Sequence, residues 1–183
     1  MSLAKRFTPI LLMVAAVSSA GALFAVPSNA SSSAQAAIGY PDYAGCVKAG
    51  KASGRPFACK AKEENRGWDL LQSTSPVEPP GNMGSTAVSG RFWIYEHDSY
   101  RGHQKSYNAN DANFKNDEWD GTNTSVNDKA SSAWNNTNRY GNLFVDTGYV
   151  GTYIWFPPNS ASLDLEKDFG LGDEASSIKF TSS

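Results

Sequence analysis

The chain has 183 residues, with 16 Lys and Arg against 18 Asp and Glu, and only two cysteines and two histidines. A nearly balanced charge with no basic stripe argues against a nucleic acid partner. Two histidines and no nucleophile elbow leave little to build catalysis from, and the chain is read as a non-enzyme.

Lys5 and Arg6 precede an apolar run from Ile10 to Val26. Small residues follow, with Ser28-Asn29-Ala30 and Ala34-Gln35-Ala36 both offering the small-x-small pattern that signal peptidases cut. The run is short and is interrupted by Ser18, Ser19 and Gly21, so a signal peptide is expected over residues 1–36, cut at 30 or 36, rather than an anchor. Its removal takes the basic count from 16 to 14 against 18 acidic residues. No second hydrophobic span follows. The expectation is a secreted, extracellular protein whose mature form touches no membrane.

Residues 37–72 contain Cys46 and Cys59. Outside the cytosol two such cysteines pair, and a loop of this size constrains the unfolded chain by ~3 kcal/mol in the entropy account. The charged stretch from Lys60 to Asp69 reads as a short helix. Residues 73–90 are dense in Pro, Gly and Ser and read as a linker or an irregular cover. Packing along a sheet edge, a partner contact and simple tethering all remain open for the region between the signal and Arg91.

From Arg91 the pattern changes to short runs of aromatic and β-branched residues separated by Gly, Asn and Asp. Phe92 and Ile94 alternate with Trp93 and Tyr95, and Ile178 and Phe180 flank Lys179, the period of a half-buried strand. Trp134, Trp155 and Phe156 add aromatic area for a core. The expected class is all-β, a sandwich over residues 91–183. Two internal repeats support it. Tyr95-Glu96-His97-Asp98-Ser99-Tyr100-Arg101-Gly102 and Phe144-Val145-Asp146-Thr147-Gly148-Tyr149-Val150-Gly151 share aromatic, aromatic and glycine 49 positions apart. Asn127-Asp128-Lys129-Ala130-Ser131-Ser132 and Gly172-Asp173-Glu174-Ala175-Ser176-Ser177 share a polar turn and a Ser-Ser strand start 45 positions apart. The glycines suit a tight folded-over hairpin that the rings can cover. The paired serines can bond back to the turn.

An aromatic-x4-aromatic-x-Gly hairpin followed by such a polar turn, present twice and in order, resembles the paired motif of microbial βγ-crystallins. The resemblance covers about half the chain. It implies a double Greek-key sandwich of two intercalated repeats, with a short disulfide-containing N-terminal extension. It also implies calcium, held by turn side chains and carbonyls together with a carbonyl from the opposite repeat's first hairpin, a donor set that suits a hard cation. The side chains so implied are Asn127, Asp128 and Ser131 in the first turn and Asp173 and Ser176 in the second. Lys129, Glu174, Glu96 and Val145 would give backbone oxygens. Gly172 stands where the motif carries Asn or Asp, so the resemblance implies one good site and one poor or absent one.

Weaker patterns carry less. Asn116 to Gly121 begins like an EF-hand loop but lacks its later ligand and reads as a polar surface loop. His97 and His103 flank the first hairpin without a third zinc ligand at a recognisable spacing. Asn29, Asn123 and Asn135 open N-x-Ser/Thr triplets of the kind that Asn-rich loops produce by chance. Within the resemblance, the chain is similar to actinobacterial secreted metalloproteinase inhibitors, which implies an extracellular protease as a partner. Asn108 to Asn123 and Pro157 to Asp168 are then the candidate contact loops. Killer-toxin-like antimicrobial modules use the same fold and give a further reading.

Overall fold

Strand β4, Arg91–His97, shows how the sequence pattern becomes a core. Phe92 and Ile94 turn inward and are fully buried, while Trp93 and Tyr95 lie on the opposite face against Trp134 and Ala161. In the computed structural model, which describes residues 38–63, 66–74 and 90–182, two antiparallel sheets are built on this alternation. The expected signal segment and most of the expected linker lie outside the described residues.

The remaining strands of the repeat region are β5 (Arg101–Tyr107), β6 (Ser132–Asn136), β7 (Tyr140–Asp146), β8 (Val150–Phe156), β9 (Ser160–Ser162) and β10 (Ser177–Thr181). One sheet runs β5-β4-β6-β9, and the other contains β8-β7-β10. The two repeats exchange their third strands. Short β9, from the second repeat, pairs with β6 of the first, and Asp111, from the first, bridges Ile178 on β10 of the second. This is the intercalated double Greek key of the βγ-crystallin fold. Between the sheets Phe92, Ile94, Phe156 and Ile178 are fully buried, and the Phe92 and Phe156 rings meet edge to face at 5.1 Å.

Trp119 is also in this core, 1% exposed. It corrects the reading of Asn116–Gly121 as a mere surface loop: the flanking polar residues are mostly exposed, but the indole pins the segment from within. Asn135 is fully buried as well, its amide donating to the carbonyls of Arg139, Phe156 and Pro157. That leaves no room for a glycan there.

Residues 38–72 extend the second sheet. β1 (Ile38–Tyr40), β2 (Phe57–Ala61) and β3 (Trp68–Gln72) continue it as β1-β3-β2-β8, with Phe57 opposite Trp155. The exposed edge of β8 is thereby covered, which removes an unpaired strand edge. Helix α1, Tyr43–Ser53, opens on Asp42, whose carboxylate accepts from the Gly45 amide at 2.7 Å, and closes on left-handed Gly54. Cys46 on α1 is bonded to Cys59 on β2, with 6.1 Å between their Cα atoms. The expected helix over Lys60–Asp69 is instead a hairpin. Gly67, at φ 106°, makes the turn that a helix could not, and Lys62 pairs with Asp69 at 3.1 Å beside it. The helix lies earlier, where the Asp42 and Gly54 caps sit.

The contact between extension and repeats is aromatic and polar. Phe57 stacks on Trp155 with ring centroids 5.8 Å apart, Lys51 lies over the same indole, and the hydroxyls of Tyr43 and Tyr153 touch. Ser73 donates to the Asp168 carboxylate at 2.5 Å on the short helix α2, Leu165–Phe169. All described residues belong to one compact unit. Among them no helix is long and apolar enough to cross a membrane.

Candidate functional site

The two polar turns lie at the ends of the first hairpins, and the backbone holds them in matching conformations. In each hairpin the register slips by a bulge, between Tyr95 and His97 in β4 and between Phe144 and Asp146 in β7. Gly102 and Gly151 follow at φ 77° and 79°, the left-handed conformation that the repeat spacing predicts for glycine. The ring pairs Tyr95–Tyr100 and Phe144–Tyr149 cover the hairpins at centroid distances of 5.2 and 6.1 Å.

The second serine of each pair locks its turn to its hairpin. Ser132 donates to the His97 carbonyl and Ser177 to the Asp146 carbonyl, each at 2.7 Å. The same hydroxyls accept from the amides of Tyr100 and Tyr149. The aspartates are related in the same way. Asp128 and Asp173 each sit at φ 54°, and their amides donate across to the carbonyls of Ala175 and Ala130, each at 3.0 Å. An approximate twofold relation thus carries one turn onto the other.

The first serines then reach across that relation. Ser131 Oγ lies 2.9 Å from Asp173 Oδ1, and Ser176 Oγ lies 2.8 Å from Asp128 Oδ1. Each cluster therefore takes its hydroxyl from one repeat and its carboxylate from the other. The Glu96 carbonyl lies 2.7 Å from Ser131 Oγ, so the hairpin oxygen belongs to the serine's own repeat. The turn motif implies a hydroxyl and a carboxylate from one turn with a carbonyl from the opposite hairpin; here the hydroxyl and the carboxylate of each cluster come from different turns, and the Glu96 carbonyl lies in the repeat opposite to Asp173. The crossing follows from the exchanged third strands, which bring the turns side by side.

The oxygen chemistry of the first cluster is unbalanced. Ser131 has one hydroxyl proton, yet a carbonyl and a carboxylate oxygen both lie within hydrogen-bond distance of it. One of them is left with no donor from that hydroxyl. In the second cluster, where Asp128 of the first turn meets Ser176, the Asn127 amide nitrogen donates to Asp128 Oδ2 at 2.5 Å, while Asn127 Oδ1 is buried without a partner. Oxygens gathered in excess of protons suit a hard cation, so the residues present fit calcium.

The other residues singled out by sequence fall as follows. Lys129 and Glu174 are exposed at the third position of each turn. Val145 occupies in the β7 bulge the place Glu96 has in β4. The Glu96 carboxylate faces away onto hairpin residues, accepting from the His103 amide at 3.2 Å and lying 4.0 Å from the His103 ring. His97 lines an open cleft of about 660 Å³ together with Asp98, Arg101, Ser131 and Asp173. Arg101 is turned onto Asp98.

Two acidic residues of that cleft, Asp164 and Glu166, were not singled out by the sequence. Asp164 caps α2, accepting from the Lys167 amide at 2.9 Å. Glu166 Oε2 accepts from the Gly172 amide at 3.2 Å. The signal that pointed there was Gly172 itself: a Cβ at that position would meet Glu166 Cβ at 2.7 Å.

Beyond the turns, Tyr107 donates to Asp117 Oδ2 at 3.0 Å. Burial, assisted by the nearby Asp111, holds the Asp117 carboxyl above its ordinary value, against the opposing Tyr107 hydroxyl and Lys105. Burial also raises the Tyr107, Tyr95 and Tyr153 phenols.

Residues 83–156 match the model of peptidase inhibitor family I36. Among solved structures, one described as "Evolution of the eye lens beta-gamma-crystallin domain fold" is 24% identical, covering 52% of this chain and 89% of its own, with a TM-score of 0.46. A βγ-crystallin from Ciona intestinalis is 20% identical over 50% of this chain and 100% of its own, with a TM-score of 0.41. A βγ-crystallin from an archaeon is 19% identical over 51% of this chain and 100% of its own, also at 0.41. No curated protein sequence matches the chain.

Proposed function

We propose that this is a secreted, non-catalytic calcium-binding protein of the βγ-crystallin type. The observation that carries the reading is the pair of crossed clusters, Ser131 with Asp173 and Ser176 with Asp128, at 2.9 and 2.8 Å. Each gathers anionic and neutral oxygens from different segments, as a flexible calcium site requires. Export is supported by the Lys5-Arg6 start, the apolar run and the small residues at Ala30 and Ala36. The Cys46–Cys59 bond accords with an oxidising compartment.

A ligand that binds only the folded state adds about 2.7 kcal/mol at a hundred times its dissociation constant. A thermal melt in excess EDTA, repeated in millimolar calcium, is therefore expected to show a rise in Tm. Ser131→Ala with Ser176→Ala should abolish the rise. An unchanged Tm in the unmodified protein would reduce the clusters to strand caps.

A second reading, inhibition of an extracellular protease, is favoured by the similarity of residues 83–156 to peptidase inhibitors. Of the two loops that sequence offered, 157–168 is largely taken up by β9 and α2, whereas 108–123 exposes Asn108, Ala109, Asn110, Lys115 and Asn116. That segment is held by the bond of Asn110 to the Phe180 amide and by Trp119. Rigidity of this kind lowers the ordering cost of binding. Titration against thermolysin-like and subtilisin-like enzymes tests it, and full residual activity at equimolar protein removes this reading. Growth inhibition of fungi or bacteria would instead favour the antimicrobial one.

A further inference from the structure

We infer that Glu166, from α2, supplies the oxygen that Gly172 lacks, making the Ser131–Asp173 cluster the more acidic and tighter of the two calcium sites. The inference rests on the calcium reading and reverses the ranking that the turn motif alone implies.

Three observations carry it. First, Gly172 and Asn127 occupy equivalent first positions of the two turns. Asn127 spends its amide nitrogen on Asp128 Oδ2, partly neutralising that carboxylate. Gly172 has no side chain to do this to Asp173.

Second, the space that a side chain at 172 would fill is taken by Glu166. A Cβ built on Gly172 would lie 2.7 Å from Glu166 Cβ and 3.3 Å from its Cα and backbone nitrogen. Glycine is required there because the helix is close. The same closeness brings the Glu166 carboxylate over the turn, where Oε2 accepts from the Gly172 amide at 3.2 Å.

Third, Glu166, Asp173 and Ser131 line one cleft. The other carboxylates of that cleft are committed elsewhere, Asp164 to the start of α2 and Asp98 to Arg101. Two acids, Asp173 and Glu166, thus line the cleft at this cluster, whereas the charge of Asp128 in the other is shared with the Asn127 amide. Calcium affinity rises with the number of anionic ligands, so the site on the Gly172 side is the stronger.

Calcium titration by isothermal calorimetry, with each variant also melted in EDTA, tests this. The unmodified protein should show two affinities. Glu166→Gln, at an exposed position, should melt normally in EDTA and weaken the tighter site by about tenfold or more, leaving the weaker one unchanged. Asp128→Asn should do the reverse. Gly172→Asn, which restores the motif, should weaken the tighter site rather than strengthen it. A single site lost in Glu166→Gln and kept in Asp128→Asn also supports the inference. Two sites whose affinities Glu166→Gln leaves unchanged, a stronger site in Gly172→Asn, or a single site lost only with Asp128 would overturn it while leaving the calcium reading intact. No uptake of calcium by the unmodified protein overturns both.

Discussion

The crossed pairing of the turns makes a prediction that separates it from pairing within a turn. Ser131→Ala removes a hydroxyl that bridges the Glu96 carbonyl at 2.7 Å and Asp173 Oδ1 at 2.9 Å. A hydrogen bond to a charged acceptor contributes roughly 1.5–3 kcal/mol, and the exposure of Asp173 places this one at or below the low end, about 1 kcal/mol. A double-mutant cycle of Ser131→Ala with Asp173→Asn in EDTA should therefore give a coupling of about 0.5–1 kcal/mol. The Ser176→Ala and Asp128→Asn cycle should match it, since Ser176 Oγ lies 2.8 Å from Asp128 Oδ1. The cycle within one turn, Ser131→Ala with Asp128→Asn, should be additive to about 0.3–0.5 kcal/mol. Urea melts followed by tryptophan fluorescence give all three. Coupling within a turn that exceeds coupling across the repeats would refute the geometry on which both proposed sites depend.

Phe57→Ala should lower Tm on the order of 10 °C, because a fully buried ring stacked on Trp155 is lost where the extension joins β8. A fall of only a degree or two, seen by calorimetry, would mean that the extension contributes little. Asp117 predicts a pH dependence. Its folded pKa is raised above 3.8 by burial, so the folded state binds the extra proton and stability is lost as pH rises through the folded pKa. Asp117→Asn, whose amide oxygen can still accept from Tyr107, should stabilise the protein near pH 7 and lose that advantage below about pH 3.8. Equal stabilisation at both pH values would disprove the assignment.

The repeats were legible because their determinants are local. A glycine at φ 77° or 79°, a covering ring and a Ser-Ser strand start are each set by a few adjacent residues, and all recur in the chain. Trp119 was not legible, because a single indole within Asn116–Gly121 has no periodicity to announce that it enters the core. The extension was misread for a similar reason: the charge of Lys60–Asp69 suggested a helix, while the pairing that makes it a hairpin depends on Trp68 and Asp69 meeting Lys60, Ala61 and Lys62. The crossed assignment of the serines and aspartates follows from the exchange of β9 and the Asp111 bridge between sheets, a fact of topology that no local motif contains. Gly172 was visible as a departure from the motif, but its reason, the backbone of α2, lies six residues upstream.

Crossing has an energetic consequence for the whole domain. A site built within one turn would stabilise only that turn, and a lone repeat could bind a cation by itself. Here neither repeat holds a complete cluster, since Ser131 needs Asp173 and Ser176 needs Asp128. The free energy of binding a cation would then act directly on the docking of one repeat against the other, because separated repeats would lose affinity and separation would be opposed by the bound ion. On the Gly172 side the linkage reaches further. Glu166 belongs to α2, and the same short helix carries Asp168, which accepts from Ser73 at the end of the extension. Calcium held by Glu166 would therefore order the helix to which the extension is fastened, coupling the disulfide-bonded extension of one sheet to the turns that join the repeats.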